Sequence, residues 1–176
     1  MEGNGDNLIE LVDRYGTELY RFCYSLTRHK EDADDLFQNT FVKLVEQRVA
    51  IDPQRNPKAL LFSITVRIWQ SERRKNARRM RLAPPVELRE SAVGEYGNPD
   101  QDLMAREEYA QVQNLVEEME EHYRLPLTMY YTVEMSVSEI ATVLGIPQGT
   151  VKSRLHKARQ ILSERWEAAE LCDMTM

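Results

Sequence analysis

Cysteine is scarce in this chain. Cys23 and Cys172 are its two cysteines; they stand far apart, form no CxxC pair and have no histidine at metal-ligand spacing. That excludes a disulfide framework and a zinc site read from local spacing, and it fits a reducing compartment. Glycine and proline number only 7 each among 176 residues, so turn formers are few, and a composition rich in Leu, Arg, Glu and Gln favours helices. No apolar run approaches the roughly 20 residues that span a bilayer, and no apolar h-region follows Met1. The expectation is a cytoplasmic protein with no direct membrane insertion. Catalytic signatures are missing too: there is no GxxxxGK[ST] loop, no nucleophile beside a base, and His29, His122 and His156 are isolated. No catalytic residue, metal or cofactor is expected, and the chain does not read as an enzyme.

What the sequence does have is charge arranged in blocks. The formal net charge of −6 would oppose nucleic-acid binding if it were evenly spread. Residues 67–81, however, carry seven Lys/Arg against one Glu, a net of +6, and residues 146–163 carry four Lys/Arg and no acid, a net of +4. Between them, residues 82–123 hold eleven Asp/Glu against Arg89 and Arg106, a net of −9. Two basic islands flank an acidic stretch.

Apolar periodicity divides the chain into helices. Leu8, Leu11, Val12, Tyr15, Leu19, Phe22 and Leu26 fall mostly three or four apart, predicting an amphipathic helix from Asn7 to about Arg28. Ala33, Leu36, Phe37, Phe41, Leu44 and Val45 form the stripe of a second helix, reaching about Gln47, whose acidic first turn (Glu31, Asp32, Asp34, Asp35) complements a helix N-terminus. Asp52–Pro57, with two prolines, reads as a loop. A third helix starts near Pro57, where a missing N–H does least harm, and turns Leu60, Leu61, Ile64 and Ile68 inward before running into the first basic island. Three such helices make a small domain, residues 1–82.

Ala83–Asp102 contains Pro84, Pro85, Gly94, Gly97 and Pro99 in a mostly polar context and reads as a flexible acidic linker, residues 83–102. Fully extended it spans on the order of 65 Å at roughly 3.3 Å per residue. Leu103, Tyr109, Val112, Leu115, Val116 and Met119 then open a second helical domain, residues 103–176. The expected fold class is all-α: two small helical domains joined by the linker.

The second domain carries the most diagnostic segment, SVSEIATVLGIPQGTVKSRLHKARQIL. Val137, Ile140, Ala141 and Leu144 face one side of a short helix, small Ala141 lets another helix approach, and Ser136 or Ser138 can cap it. Gly145 supplies the turn, Ile146 plugs the corner, and Thr150, Val151, Leu155, Ala158 and Leu162 mark a second helix. This is a helix-turn-helix pattern. With Val151, Leu155, Ala158 and Leu162 inward, Lys152, Ser153, His156, Lys157 and Arg159 lie wholly or partly on a basic exposed face. Arg and Lys there suit phosphate or guanine, and Gln148, Gly149 and Thr150 sit at a helix N-terminus that favours a phosphate. An isolated basic helix would more often be a solvated surface; the Ala, Gly and Val spacing and the absence of acid tip the reading to DNA.

Taken together these residues resemble the sigma factors of the extracytoplasmic-function (ECF) group, and the resemblance covers nearly the whole chain. Asp32-Ala33-Asp34-Asp35-Leu36-Phe37-Gln38-Asn39-Thr40-Phe41 is similar to that family's polymerase-docking helix, commonly D-A-E-D-L-x-Q-E-T-F. The resemblance implies that Asp34, Asp35, Gln38 and Asn39 meet the β′ clamp helices of core RNA polymerase, and helical phase leaves Asp35, Gln38, Asn39 and Lys43 outward. Ile140 through Arg159 resembles the reader of the −35 promoter element, which adds Arg154 to the residues named above and places the second domain on the polymerase β flap.

Leu60 through Arg74 resembles the segment that melts and reads the −10 element, usually W-L-x-x-I-A-R-N followed by an Asp and a basic run. Here Leu60 replaces the Trp, Val66-Arg67 replaces Arg-Asn and Ser71 replaces the Asp; the resemblance assigns the helix to DNA. Arg67, Arg73, Arg74, Lys75, Arg78 and Arg79 are expected to neutralise phosphates. Trp69 is either a stacking platform for an unpaired base or core. The loop Ile51–Asn56 resembles the family's pocket for a flipped base, with Asn56 as reader. The acidic linker is either a tether or, by family analogy, a strand in the RNA-exit path. The family also implies control by an anti-sigma factor. The rival from another class of DNA-binding protein, a dimeric helix-turn-helix repressor or activator, leaves the first domain unexplained.

Overall fold

A computed structural model describes residues 3–46, 56–82 and 103–173, and among these every regular element is an α-helix. The elements are α1 (Gly3–Thr27), α2 (Lys30–Glu46), α3 (Pro57–Leu82), α4 (Leu103–Glu117), α5 (Glu121–Thr132), α6 (Val137–Leu144) and α7 (Gln148–Asp173). The chain divides into two compact units, Met1–Gly94 and Glu95–Met176. The segment expected as linker, 83–102, and most of the expected loop before α3 lie outside the described residues.

In the first unit α1, α2 and α3 pack on one another. Leu11, Leu19, Phe22 and Leu26 of α1 are buried as their spacing predicts, and so is Cys23, whereas Val12 is 39% exposed. The stripe therefore turns further round the helix than its apolar residues alone indicate. Phe22 meets Phe62 of α3 with ring centroids 5.2 Å apart, a contact that adds geometry to simple area burial. Lys58 in the first turn of α3 pairs with Glu18 of α1 at 2.7 Å.

Helix α2 buries Ala33, Leu36, Thr40 and Leu44. Phe37 and Phe41 are half-buried, stacked edge-on at 5.0 Å, and Val45, expected inside, is 52% exposed. The reason is phase: Thr40 and Leu44 continue the Ala33 and Leu36 line, and Val45 falls one residue past it. Thr40 meets Thr65 of α3 across the core, their hydroxyl oxygens 3.1 Å apart. The first half of α3 is buried widely, through Ala59, Leu61, Phe62, Ile64, Thr65, Val66 and Trp69, with Leu60 and Ile68 half-buried. Trp69, only 5% exposed, is core. From Glu72 to Arg81 every side chain is exposed, so the basic end of α3 leaves the three-helix core.

In the second unit α7 is the shared support for α4, α5 and α6. Met119, Leu125, Leu127, Met129, Val133 and Met135 fill the core beside Ile140 and Val143 of α6 and Val151, Leu155 and Ala158 of α7. Val143 is a finding the sequence stripe did not contain. Because α6 packs against both α5 and α7, an eight-residue helix buries more than one line of side chains. Arg165 of α7 reaches Glu118 beyond α4 at 3.2 Å.

Candidate nucleic-acid interface

The helix-turn-helix is built by local chemistry. Ser136, not Ser138, is the N-cap of α6: its hydroxyl accepts from the Glu139 N–H and the Glu139 carboxylate accepts from the Ser136 N–H at 2.9 Å, a complete capping box. Gly145 ends the helix in the left-handed region at φ 64°, ψ 36°, with its N–H on the Ala141 carbonyl, a conformation that costs a residue bearing Cβ. The Ile146 N–H returns to the same carbonyl at 3.1 Å, and Ile146 is half-buried at the corner. Pro147 then accepts from the N–H groups of Thr150 and Val151, which starts α7.

The face of α7 follows from that register. Val151, Leu155 and Ala158 are buried, Leu162 is half-buried, and Lys152, Ser153, His156, Lys157 and Arg159 are exposed. Arg154 and Thr150 are half-buried. Gln148 is exposed and donates to the Ser138 hydroxyl at 3.3 Å, tying the start of α7 to α6. Arg159 is held from a second element: its Nε donates to the Tyr131 hydroxyl of α5 at 2.9 Å, and its guanidinium lies 5.6 and 5.8 Å from the ring centroids of Tyr130 and Tyr131. Periodicity along one helix carries no signal for a partner 28 residues away.

In the first unit, Arg67, Arg73, Arg74, Lys75, Arg78 and Arg79 are all exposed along α3. The Arg73 guanidinium sits 4.8 Å over the Trp69 ring, so Trp69 supports a cation from within the core. Lys43 of α2 and Arg67, Ser71, Glu72 and Lys75 of α3, together with Ile64 and Ile68, line an open groove of about 320 Å³. Asn56 has φ 36° and its side-chain oxygen accepts from the Ala59 N–H at 3.1 Å. It therefore acts as the N-cap of α3, and one acceptor of its amide is engaged there.

On α2, Asp35, Gln38 and Asn39 are exposed, and Lys43 is exposed in an ion pair with Glu46 at 2.9 Å. Asp34 differs: it is half-buried and accepts from the Tyr20 hydroxyl of α1 at 2.7 Å. Val42 and Val45, 53% and 52% exposed, continue the face of Asp35, Gln38 and Asn39 at spacings of three and four, an apolar extension that the docking motif did not point to. Among the described residues, no group of three or more His, Cys, Asp or Glu is arranged to hold a metal ion, and no helix is long and apolar enough to cross a membrane.

Both units match known proteins. Residues 11–79 match the family model for Sigma-70 region 2 and residues 109–162 that for Sigma-70 region 4. The fold and its two units thus define a protein of the sigma-70 class. Over 170 residues the chain is 25% identical to the ECF RNA polymerase sigma factor SigW of Bacillus subtilis, covering 93% of this chain and 91% of that one. It is 31% identical over 153 residues to the ECF RNA polymerase sigma factor SigL of Mycobacterium tuberculosis, covering 86% and 84%. Among solved structures it is similar to the sigma factor RpoE of Bartonella quintana, determined with the anti-sigma factor NepR, at a TM-score of 0.74 and 26% identity over 92% of this chain and 97% of that one. It is also similar to CnrH, determined with the cytosolic domain of CnrY, at a TM-score of 0.68 and 26% identity, covering 94% and 91%. The chain belongs to the ECF RNA polymerase sigma factors, and its function is promoter-specific transcription initiation.

Proposed function

We propose that the first unit, residues 1–82, docks on core RNA polymerase and engages the −10 element, that the second, residues 103–176, reads the −35 element, and that residues 83–102 tether them. The observation that carries this reading is the division of α7: Val151, Leu155 and Ala158 inside, Lys152, Ser153, His156, Lys157 and Arg159 outside. In a helix-turn-helix the second helix enters the major groove by its N-terminal residues. Gln148, Thr150, Lys152, Ser153, Arg154 and His156 are the candidates for base edges and nearby phosphates, and Lys157 and Arg159 follow within the next turn. Arg67, Arg73, Arg74, Lys75, Arg78 and Arg79 neutralise phosphates around the melted −10 segment, a sequence-independent contribution that makes binding steeply salt-dependent. Asn56 reads a flipped −10 base with the amide donors that its capping oxygen leaves available.

Asp35, Gln38 and Asn39, with Val42 and Val45 beside them, meet the β′ clamp helices of polymerase, and Asp34 contributes through the oxygen not held by Tyr20. The second unit docks on the β flap. The protein acts in the cytoplasm under an anti-sigma factor, a reading supported by the relatives solved with NepR and with the CnrY cytosolic domain. The test is reconstitution with core polymerase. Asp35→Lys and Gln38→Ala should lower core affinity while leaving the fold intact by circular dichroism, and promoter-specific transcripts should require core. Core affinity unchanged in both variants would contradict the docking face, and tight binding of the free chain to a palindromic duplex would favour a dimeric repressor instead.

A further inference from the structure

Arg159, on the exposed face of α7, is fixed against a second helix, α5. The Nε–H is used on the Tyr131 hydroxyl at 2.9 Å. A guanidinium has its remaining donors on Nη1 and Nη2, in the planar fork that matches two oxygens of one phosphate. The Tyr131 oxygen accepts from Arg159, so its own O–H is directed away from the guanidinium and is available to a further acceptor. Tyr130 and Tyr131 meet edge-on at 5.1 Å and present their faces to the cation, which favours the charge and restricts its rotamers. Both rings stay accessible, 36% and 58% exposed, in the last turn of α5.

Position along α7 decides what such a group meets. Arg159 lies eleven residues past Gln148, the first residue of the helix, which is about 16 Å along the axis at roughly 1.5 Å per residue. The major groove is about 12 Å wide. With the first turn of α7 at base edges, Arg159 therefore stands at the rim, where phosphates are, and not over the groove floor.

We propose that Arg159, Tyr131 and Tyr130 form a phosphodiester clamp on the upstream promoter duplex, with Arg159 and the Tyr131 hydroxyl sharing one DNA phosphate and Tyr130 holding the guanidinium in place. The clamp rests on the reading of α7 as the upstream promoter helix; it adds two residues of α5 to the DNA surface and assigns Arg159 to backbone, not to sequence. The absence of any acid from residues 146–163 matches an anionic partner.

The experiment uses holoenzyme assembled from the full chain and core polymerase, with labelled promoter duplex titrated between 50 and 200 mM salt. Arg159→Ala should weaken binding about tenfold or more at the low-salt end, the effect of losing a charge-assisted contact, and should reduce the slope of log affinity against log salt by about 0.9, the loss of one phosphate. Base preference at every upstream position should stay as in the wild type. Tyr131→Phe, which keeps the ring and removes the hydroxyl, should give a smaller loss in the same direction, and Arg159→Lys should not restore binding because a lysine cannot serve the hydroxyl side-on and the phosphate fork together. A scan replacing single phosphates by neutral methylphosphonates should find one position at which wild type and Arg159→Ala become equal.

A changed base preference in Arg159→Ala would overturn the clamp in favour of base reading, and lower affinity for core polymerase without DNA would overturn it in favour of a protein contact. A −35-dependent wild type matched by Arg159→Ala in affinity and slope would overturn the clamp alone. A wild type indifferent to replacement of the upstream element would remove the reading of α7 itself.

Discussion

The two turns that flank α6 give a pair of opposite predictions. Gly145 and Glu134 both hold left-handed backbone, φ 64° and φ 53°, but only the first is glycine; the second carries a Cβ that this region disfavours. A Cβ built on Gly145 meets nothing within 4 Å, so Gly145→Ala has no steric clash with neighbours and its whole cost is conformational. The left-handed region costs an L-residue roughly 1–2 kcal/mol, and alanine offsets roughly 0.4–1 kcal/mol of this by restricting the unfolded chain. The net is about 1 kcal/mol of destabilisation. At Glu134, which is exposed, the same terms reverse, and Glu134→Gly should stabilise by about 1 kcal/mol. For a unit of this size 1 kcal/mol moves the midpoint by roughly 4–8 °C. The assay is thermal unfolding of the full chain labelled with 5-fluorotryptophan and followed by ¹⁹F NMR. Trp166 on α7 reports the second unit and Trp69 on α3 the first, so the Trp166 transition should move in opposite directions in the two variants while Trp69 stays. A neutral Gly145→Ala, or two shifts of the same sign, would refute the conformational argument.

Other perturbations probe the first unit. The hydroxyls of Thr40 and Thr65 lie 3.1 Å apart and each is also within hydrogen-bond distance of its own helix's carbonyl, Leu36 and Leu61, so two protons serve three contacts. Thr40→Val or Thr65→Val alone should cost about 1 kcal/mol and the double variant no more than either, since replacing both partners by the same shape is nearly neutral; additive losses in urea unfolding would contradict this. Trp69→Ala should lower stability by about 3–5 kcal/mol, and a variant that kept full stability but lost promoter opening would mark Trp69 as a base-stacking platform instead. Burial lifts the Cys23 thiol from the ordinary 9.0 to about 12, which disfavours its thiolate in the fold but not in the unfolded chain. The stabilisation is complete below pH 9 and is lost as pH rises toward 12, so stability should fall over that window and Cys23→Ala should flatten the fall. Rapid alkylation of native Cys23 at pH 8 would contradict its burial.

Helical phase made much of this molecule legible. The stripes of α1, α2 and α3, the glycine turn at Gly145 and the inward line Val151, Leu155 and Ala158 follow from spacing alone, because one face of an amphipathic helix must be apolar wherever a second helix covers it. Spacing does not set how wide that face is. Val12 and Val45 stand outside it, while Cys23, Thr40, Thr65 and Val143 stand inside, since the crossing of neighbouring helices decides the width. The candidate site divides the same way: exposure of Asp35, Gln38, Lys152 and Lys157 was readable, but the hold of Tyr20 on Asp34, of Tyr131 on Arg159 and of Asn56 on the start of α3 was not. The first two are contacts between different helices, 14 and 28 residues apart in the chain, and the third depends on a single backbone conformation.

The most direct test of the account is selection of transcribed templates from a randomised promoter pool by core polymerase with this chain. Enriched templates should carry two constrained blocks at a fixed separation; Lys152→Ala with Ser153→Ala should relax the upstream block and leave the downstream one intact. Enrichment of a single palindromic block, or transcripts from every template alike, would contradict it.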